Sequence, residues 1–457
     1  MGVKRILTFD FIRGLSIFLM VIVHTWLNIF DLSLIKNIAL EDLNPLLLII
    51  GGLLFVMGHS RTLFLLISAI IYSYTIYRAI LKRTDFRPIA YKNLTIGFLL
   101  YLIGNLREGI FNPWGVLNGL YETGQFNPEL LRFFYLFETL QMIGVGIITL
   151  TLVFSLILYF RQQEKRTILT FLFLFLAVIF IFTAPIVHIA IDNYFGVNFE
   201  FKGRHTTGNF FHYLCLFFWV ALAGQAEPIF PFLGTIFIGA IVGMNLGIEH
   251  PSKHFPKFMA LGGFSSIILG LLHLIIIDDM VFTMWFEIHP TWYFLVNIGI
   301  HLILISFFLH RFEFRKKTNL DLFAKRTVFL RRWGAISLTI YFWQIIDIIP
   351  RELVSLLFNV NLRQKHQEGY MWTFIMIIVV CLFWNTIIYY WEKIGFVGSW
   401  EWILAFFVKK LFGKNNHVIS RSQFNAILYS IEPIKFVSSS STLTITEQNH
   451  VPPKELA

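Results

Sequence analysis

The sequence predicts an all-α fold, a polytopic transmembrane helix bundle with about ten crossings and two further partial or re-entrant helices. The composition is the first observation that predicts it. The 457 residues are 56% hydrophobic and only 14% charged, whereas soluble domains carry roughly 25% charged residues. The second is that the apolar residues come in runs of about 20, the length that crosses a bilayer core. Together they exclude a water-soluble globular protein.

The apolar runs place every crossing between residues 8 and 392. The predicted crossings are residues 8–29, 60–81, 91–107, 131–160, 167–190, 228–247, 258–278, 291–310, 333–350 and 371–392. Two shorter apolar pieces, residues 44–57 and 210–223, run into Gly58 and Gly224. Lipid cannot satisfy the backbone groups of a helix that stops part-way. We therefore interpret both pieces as partial helices that line a protected cavity.

The basic loops predict the orientation of the bundle. Residues 81–87, 161–166 and 310–333 are the most basic connections, and an even count of about ten crossings places all three on one side. Short loops rich in lysine and arginine stay in the cytoplasm. The sequence therefore predicts cytoplasmic N- and C-termini in a multi-pass protein of the cell (plasma) membrane. The same rule accounts for the net charge of +10 without nucleic-acid binding.

Residues 1–412 form one predicted membrane domain, and residues 413–457 differ from it in composition. The tail contains a run of serines at 438–441, and we predict that it is disordered and cytoplasmic. Both cysteines, Cys215 and Cys381, lie inside apolar runs, which argues against a disulfide framework or a cysteine zinc site. The spacing of histidines and carboxylates predicts no metal site either.

The first helix carries the strongest suggestion of chemistry. Asp10, Arg13 and His24 all lie in it, and ionisable groups inside a membrane are costly and usually functional. Arg13 and His24 are separated by about three helical turns, which puts them on nearly one face about 16 Å apart. Asp10 and Arg13 can pair across one turn, and a neutral imidazole makes His24 a candidate general base. The alternative is an interfacial ion pair and a hydrogen-bonded core histidine.

Arg13, ten further residues and then His24 resemble the pattern of the acyltransferase-3-like family of membrane acyltransferases. The rest of the chain is more similar to the heparan-α-glucosaminide N-acetyltransferase-like proteins. The stretches that carry the likeness are residues 7–24, 228–234 with Gly239 and Gly243, 334–341 and 398–402. Two features depart from it. Gln344 stands where such families often have a histidine after Tyr341, and residues 27–43 lack the loop histidine of the human-type enzymes.

The resemblance implies an enzyme that moves an acyl group, usually acetyl, from acyl-CoA to a hydroxyl or amine of a glycan or lipid-linked sugar. It implies no permanently bound cofactor, since acetyl-CoA is a co-substrate. His24 would deprotonate the acceptor, and Arg13 would lie near the donor. The basic residues expected to meet the donor phosphates are Arg13, Arg61, Arg83 and Arg87, with Lys82 and a second cluster of Arg326, Arg331 and Arg332. Further structural or substrate-facing candidates are Asp10, His59, His205, His212 and Gln344.

A second function remains open from the sequence. A transporter or flippase for a small or lipid-linked substrate would use Asp10, Arg13 and His24 as a polar pathway, and broken helices would suit it. Transporters commonly show two related halves, and this sequence shows no internal repeat. Membrane lipid surrounds the chain under either hypothesis, and both a monomer and a homodimer are compatible with the sequence.

Overall fold

The computed structural model describes residues 6–30, 60–112, 115–127, 130, 133–134, 136–195, 210–224, 227–277, 290–314, 317–362 and 370–412. Helices dominate these residues, and the predicted all-α helix bundle is confirmed. The predicted partial helix at 44–57 and the tail at 413–457 lie outside the described residues. The chain is therefore a multi-pass membrane protein in the part that the structure describes.

Among the described residues, eight helices are long and apolar enough to cross a membrane. They are α1 (Leu7–Ile29), α2 (Ser60–Leu81), α3 (Phe86–Leu106), α5 (Thr139–Tyr159), α9 (Ile229–Gly247), α10 (Phe255–Ile277), α11 (Thr291–Phe308) and α16 (Tyr370–Lys393). A pair of helices bent by 41°, α6 (Arg166–Phe182) and α7 (Ala184–Phe195), makes a ninth candidate if the two form one span. The shorter helices are α4 (Val116–Thr123), α8 (Phe210–Ala223), α12 (Lys317–Arg326) and α17 (Trp400–Phe412).

The two remaining predicted segments are short or broken helices. Helix α8 has 14 residues, fewer than the roughly 20 that a crossing requires, in agreement with a partial helix. The predicted crossing at 333–350 is divided into α13 (Val328–Ala335), α14 (Ser337–Phe342), a 3₁₀ turn (Gln344–Asp347) and α15 (Ile348–Phe358). The helix breaks at Ile336 and Trp343, whose ψ angles are 35° and 18°. Broken backbone persists in a membrane where protein covers it, and α14 is buried along its whole length.

Helix α1 crosses α13 at two glycines. A Cβ atom on Gly14 would lie 1.8 Å from the carbonyl oxygen of Leu330, and one on Gly334 would lie 2.5 Å from that of Asp10. Only glycine therefore allows the two backbones to meet, as small residues do between membrane helices. The crossing is flanked by the rings of Phe18 and Trp333, whose centroids lie 5.1 Å apart. It places the first helix directly against the start of the broken segment.

Two of the predicted basic loops meet at one end of the bundle. The guanidinium of Arg83 lies 3.9 Å from the carboxylate of Glu164, and the hydroxyl of Tyr77 donates to the carbonyl oxygen of Gln163. Helix α3 begins directly after the first of these loops, and α1 begins at the same end, since Arg13 and Lys92 line one cavity. We call this end of the bundle the Arg13 end. The opposite end, at which α1 finishes, is called the His24 end.

Candidate functional site

His24 and Gln344 are in direct contact at the His24 end. The Nδ1 atom of His24 lies 2.8 Å from the Oε1 atom of Gln344. Gln344 begins the 3₁₀ turn that follows α14, and only 3% of the residue is exposed. The break after α14 thus turns this side chain toward the first helix. The sequence-predicted candidates His24 and Gln344, 320 positions apart in the chain, belong to one site.

A buried ion pair joins the same site from α3. The last turn of that helix continues as a π-helical turn, Arg107–Phe111, a distortion that is frequent at functional sites. The guanidinium of Arg107 pairs with the carboxylate of its neighbour Glu108. The Nη2 atom of Arg107 also lies 3.5 Å from the Oε1 atom of Gln344. Arg107 and Glu108 are 3% and 0% exposed, respectively.

Tyr341 and Asn112 complete the arrangement. The guanidinium carbon of Arg107 lies 4.3 Å from the centre of the Tyr341 ring, a geometry that attracts a cation to the ring face. The hydroxyl of Tyr341 donates to Oε1 of Glu108 at 3.4 Å, and the Nδ2 amide of Asn112 donates to Oε2. We define the His24 cluster as His24, Arg107, Glu108, Asn112, Tyr341 and Gln344.

Further carboxylates surround this cluster. The carboxyl groups of Glu138 and Glu227 lie within electrostatic range of the Tyr341 hydroxyl, and Glu138 is also within range of Arg107. Glu227 accepts a hydrogen bond of 2.8 Å from the hydroxyl of Thr139. The surroundings of His24 are thus polar and hydrogen-bonded, as buried polar groups in a membrane protein require.

A cavity of about 620 Å³ opens at the Arg13 end. Three cations, Arg13, Lys92 and Lys409, line it together with apolar side chains of α2, α3, α5 and α17. The carboxylate of Glu401 also lines it and binds the first turn of α14, accepting from the backbone N–H of Leu338 at 2.6 Å. The positive charge of Arg13 acts on that carboxylate. The cavity therefore joins a cationic opening to an apolar interior.

The cavity extends from the Arg13 end toward the His24 cluster. Lys92 and Leu100 both line it, and eight positions of α3 span about 12 Å. Leu140, another lining residue, directly precedes Gln141, whose amide donates to Asn105 two positions before Arg107. Helix α14 lies between the two sites, because Ser337 lines the cavity and Tyr341 belongs to the cluster.

Arg13 and His24 thus occupy different sites on the same helix. Arg13 lines the cavity, whereas His24 does not line it and meets Gln344 instead. Asp10 is 7% exposed, and its carbonyl oxygen faces Gly334 at the helix crossing. The first helix consequently presents one ionisable side chain to each of two candidate sites.

Of the other predicted donor-binding cations, those whose side chains the structure describes do not line the cavity. The side chains of Arg83 and Arg87 are exposed, and Arg83 faces Glu164. Arg331 is 2% exposed and donates to the carbonyl oxygen of Ala324, so it does not contribute to a basic surface. Arg332 pairs with Glu392 at 2.9 Å. His59 and His205 lie outside the described residues, as do the side chains of Arg61 and His212.

Arg107 and Glu108 were not among the site residues predicted from the sequence. The third predicted crossing ends at residue 107, so that Arg107 was its last residue and Glu108 lay just beyond it. The available signal was the composition of the following residues, Gly109, Ile110 and Phe111. They are apolar, unlike the basic connections at the other end of the bundle.

Comparison with known proteins leaves the site to be interpreted from its own geometry. No protein family model, curated protein or solved structure matches this chain.

Proposed function

We propose that this protein is an integral-membrane acyltransferase that moves an acyl group, such as acetyl, from acyl-CoA to a hydroxyl or amine of a glycan or lipid-linked sugar. The observation that carries the proposal is the contact between Nδ1 of His24 and Gln344. A histidine that is oriented through one ring nitrogen by a side chain that does not titrate is suited to general base catalysis through the other.

The reaction needs two proton transfers, one to His24 and one from it. His24 removes the proton of the acceptor hydroxyl or amine as its oxygen or nitrogen attacks the thioester carbon. The carbon–sulfur bond breaks, and the departing thiolate of CoA takes the proton back from the imidazolium. A well-placed base contributes about 10²–10⁴-fold to such a step.

The cavity supports an acyl-CoA donor. CoA combines phosphates with a slender arm, and Arg13, Lys92 and Lys409 supply positive charge at the end where an apolar interior begins. Such a charged mouth attracts anionic substrates. The arm would run along α3 toward the His24 cluster, over the distance of about 12 Å that separates Lys92 from Leu100.

The orientation follows from the donor. Acyl-CoA is made in the cytoplasm, so the Arg13 end and both chain termini would face the cytoplasm in the cell membrane. The positive-inside rule supports the same orientation, because the basic loops meet at this end. The His24 end would then face the acceptor glycan or lipid-linked sugar from outside.

The broken segment from α13 to α15 also favours a second function. Transporters commonly bind their substrates where interrupted helices meet near the middle of the membrane, and α14 is such an interruption. A transporter would move its substrate without cleaving a thioester. Release of free thiol therefore separates the two functions.

The test is thiol release by the purified full-length protein in lipid nanodiscs. The protein receives acetyl-CoA and a panel of sugars and lipid-linked sugars. We expect acceptor-dependent release that falls by at least about 10² in His24→Ala and His24→Gln, since glutamine keeps a hydrogen bond but cannot take up the proton. CoA binding should persist in both variants.

The matched control is His254→Ala, which changes an exposed histidine in a loop at the Arg13 end. Wild-type protein that releases no thiol with any acceptor, but carries a substrate across the membrane, would establish the transporter instead. Normal turnover of His24→Gln would remove His24 as the base and direct attention to His59, His205 or His212.

A further inference from the structure

We infer that Arg107 is a positioning residue that acts through Gln344 to hold His24 in one tautomer, with the ring hydrogen on Nδ1 and the lone pair on Nε2. The assignment of the ring tautomer stands on the contacts alone. Its consequence for catalysis rests on the proposed function.

Arg107 sets the orientation of the Gln344 amide. A guanidinium has five N–H donors and no acceptor, and its Nη2 atom lies 3.5 Å from Oε1 of Gln344. If the amide were turned by half a rotation, its NH₂ group would face these donors and the positive charge. The arginine therefore favours the orientation in which the amide oxygen points toward it.

Gln344 then sets the tautomer of His24. The oxygen that faces Arg107 is also the atom 2.8 Å from Nδ1 of His24. A carbonyl oxygen can only accept, so Nδ1 has to carry the hydrogen. In a neutral imidazole the other nitrogen, Nε2, then holds the lone pair, and Nε2 is the atom that takes the acceptor proton in the proposed reaction.

Arg107 is itself firmly held. Its guanidinium pairs with Glu108 and lies over the Tyr341 ring, and Glu108 accepts from Tyr341 and Asn112. Within the part of the chain that the structure describes, these charged and titratable groups lie beside the contact, with Glu138 and Glu227 beyond them. A buried ion pair adds little net stability. The position of Arg107 is therefore better explained by its effect on the Gln344 amide than by a contribution to the stability of the fold.

Solid-state ¹⁵N NMR of the full chain in lipid bilayers reads the tautomer directly. The chain has 14 histidines, and the His24 signals are those absent from His24→Gln. We expect the neutral His24 ring of the wild-type protein to carry its hydrogen on Nδ1. A ring protonated on Nε2 instead would overturn the inference.

A double variant, Arg107→Met with Glu108→Gln, removes the cation without leaving a buried charge unpaired, which alone would be strongly destabilising. With the amide no longer oriented, we expect a mixed population of His24 tautomers. Arg311→Met is the matched control, because Arg311 also lies in a π-helical turn but is exposed, and it should leave the His24 spectrum unchanged. An unchanged spectrum in the double variant would contradict the inference.

Variants at Gln344 give the same test if the double variant does not fold. Gln344→Glu, ionised beside the Arg107 guanidinium, can only accept and should retain the hydrogen on Nδ1, whereas Gln344→Met should lose the preference. A spectrum of Gln344→Met identical to the wild type would also overturn the inference.

The activity measurements separate this inference from the proposed function. The double variant should lower kcat for transfer at least about tenfold, because a wrong tautomer is a large catalytic loss, and should leave the KM for acetyl-CoA unchanged. A wild-type ring with hydrogen on Nδ1 but no transfer would defeat the proposed function alone. Transfer by a protein whose ring carries the hydrogen on Nε2 would defeat only the positioning inference.

Discussion

Arg13, Lys92 and Lys409 belong to three different helices, yet they line one cavity. The exposed cations Arg83 and Arg87 were predicted from the sequence, together with Arg13, to meet the donor. Solvent screens charges at such positions strongly, whereas charges at the mouth of an apolar cavity attract an anion more effectively. At the level of single residues, the position of a cation contributes more to anion binding than the number of cations in a loop.

This difference leads to a prediction about donor affinity. Lys92→Gln with Lys409→Gln should raise the KM for acetyl-CoA at least about tenfold, since the two charges and the salt dependence that they produce are lost. Arg83→Gln with Arg87→Gln is the matched control and should change the KM much less. Equal effects of the two pairs, measured over a range of ionic strength, would show that the basic surface and not the cavity attracts the donor.

Helix α14 is the element on which both sites depend. Its N-terminal turn is fixed by Glu401, which accepts from Leu338 and from Thr339, and Tyr341 near its end contacts Glu108. Its position relative to α1 is set one element earlier, where α13 crosses α1 at Gly14 and Gly334. Close contact of these helices is therefore a condition for the geometry of both the cavity and the His24 cluster.

The crossing gives a prediction about stability. Gly14→Ala places a methyl group within 1.8 Å of the Leu330 carbonyl oxygen, so the helices have to separate, at a cost of about 1–3 kcal/mol or more. We expect a lower unfolding temperature in detergent and reduced transfer. Gly262→Ala is the control, because a Cβ there meets nothing within 4 Å. Equal thermal stability of the two variants would mean that the crossing tolerates a side chain.

At the scale of the whole molecule, the basic loops define one face of the membrane domain. The ion pair of Arg83 with Glu164 joins the first two loops. The third lies where α1 begins, since the backbone N–H of Thr8 donates to Glu313. Because an even number of crossings returns the chain to the same side, this arrangement requires α8 to be a partial helix. The ion pair of Arg332 with Glu392 brings the end of α16 beside α13, so the broken segment α13 to α15 counts as a crossing.

Reporter fusions test this topology. Fusions at Lys165 and at Lys317 should give the same cytoplasmic signal, because both positions belong to loops that the positive-inside rule retains in the cytoplasm. A fusion in the exposed turn at Gly124 should report the opposite side, since α3 separates it from the Arg83 loop. Opposite signals from Lys165 and Lys317 would mean that α8 crosses fully.

The pattern of apolar residues along the chain specifies the helix bundle and most of the segments that compose it. Runs of about 20 apolar residues match the thickness of the bilayer core and favour a membrane crossing. The positions of most spans depend on these runs alone. His24 can also be identified as a candidate from the sequence, because an ionisable residue in an apolar run is conspicuous without any knowledge of its neighbours.

Which residues meet depends on the packing of the helices. The contact of His24 with Gln344 joins positions 320 residues apart, and no periodicity in either segment specifies it. The breaks on either side of α14 and the inclusion of Arg107 in the His24 cluster depend on how α1, α3 and α13 pack. The glycine crossing that fixes α1 against α13 involves backbone atoms of both helices. Local patterns fix where helices form, whereas the assignment of Arg13 to the cavity and of His24 to the cluster arises only from the packing of helices against one another.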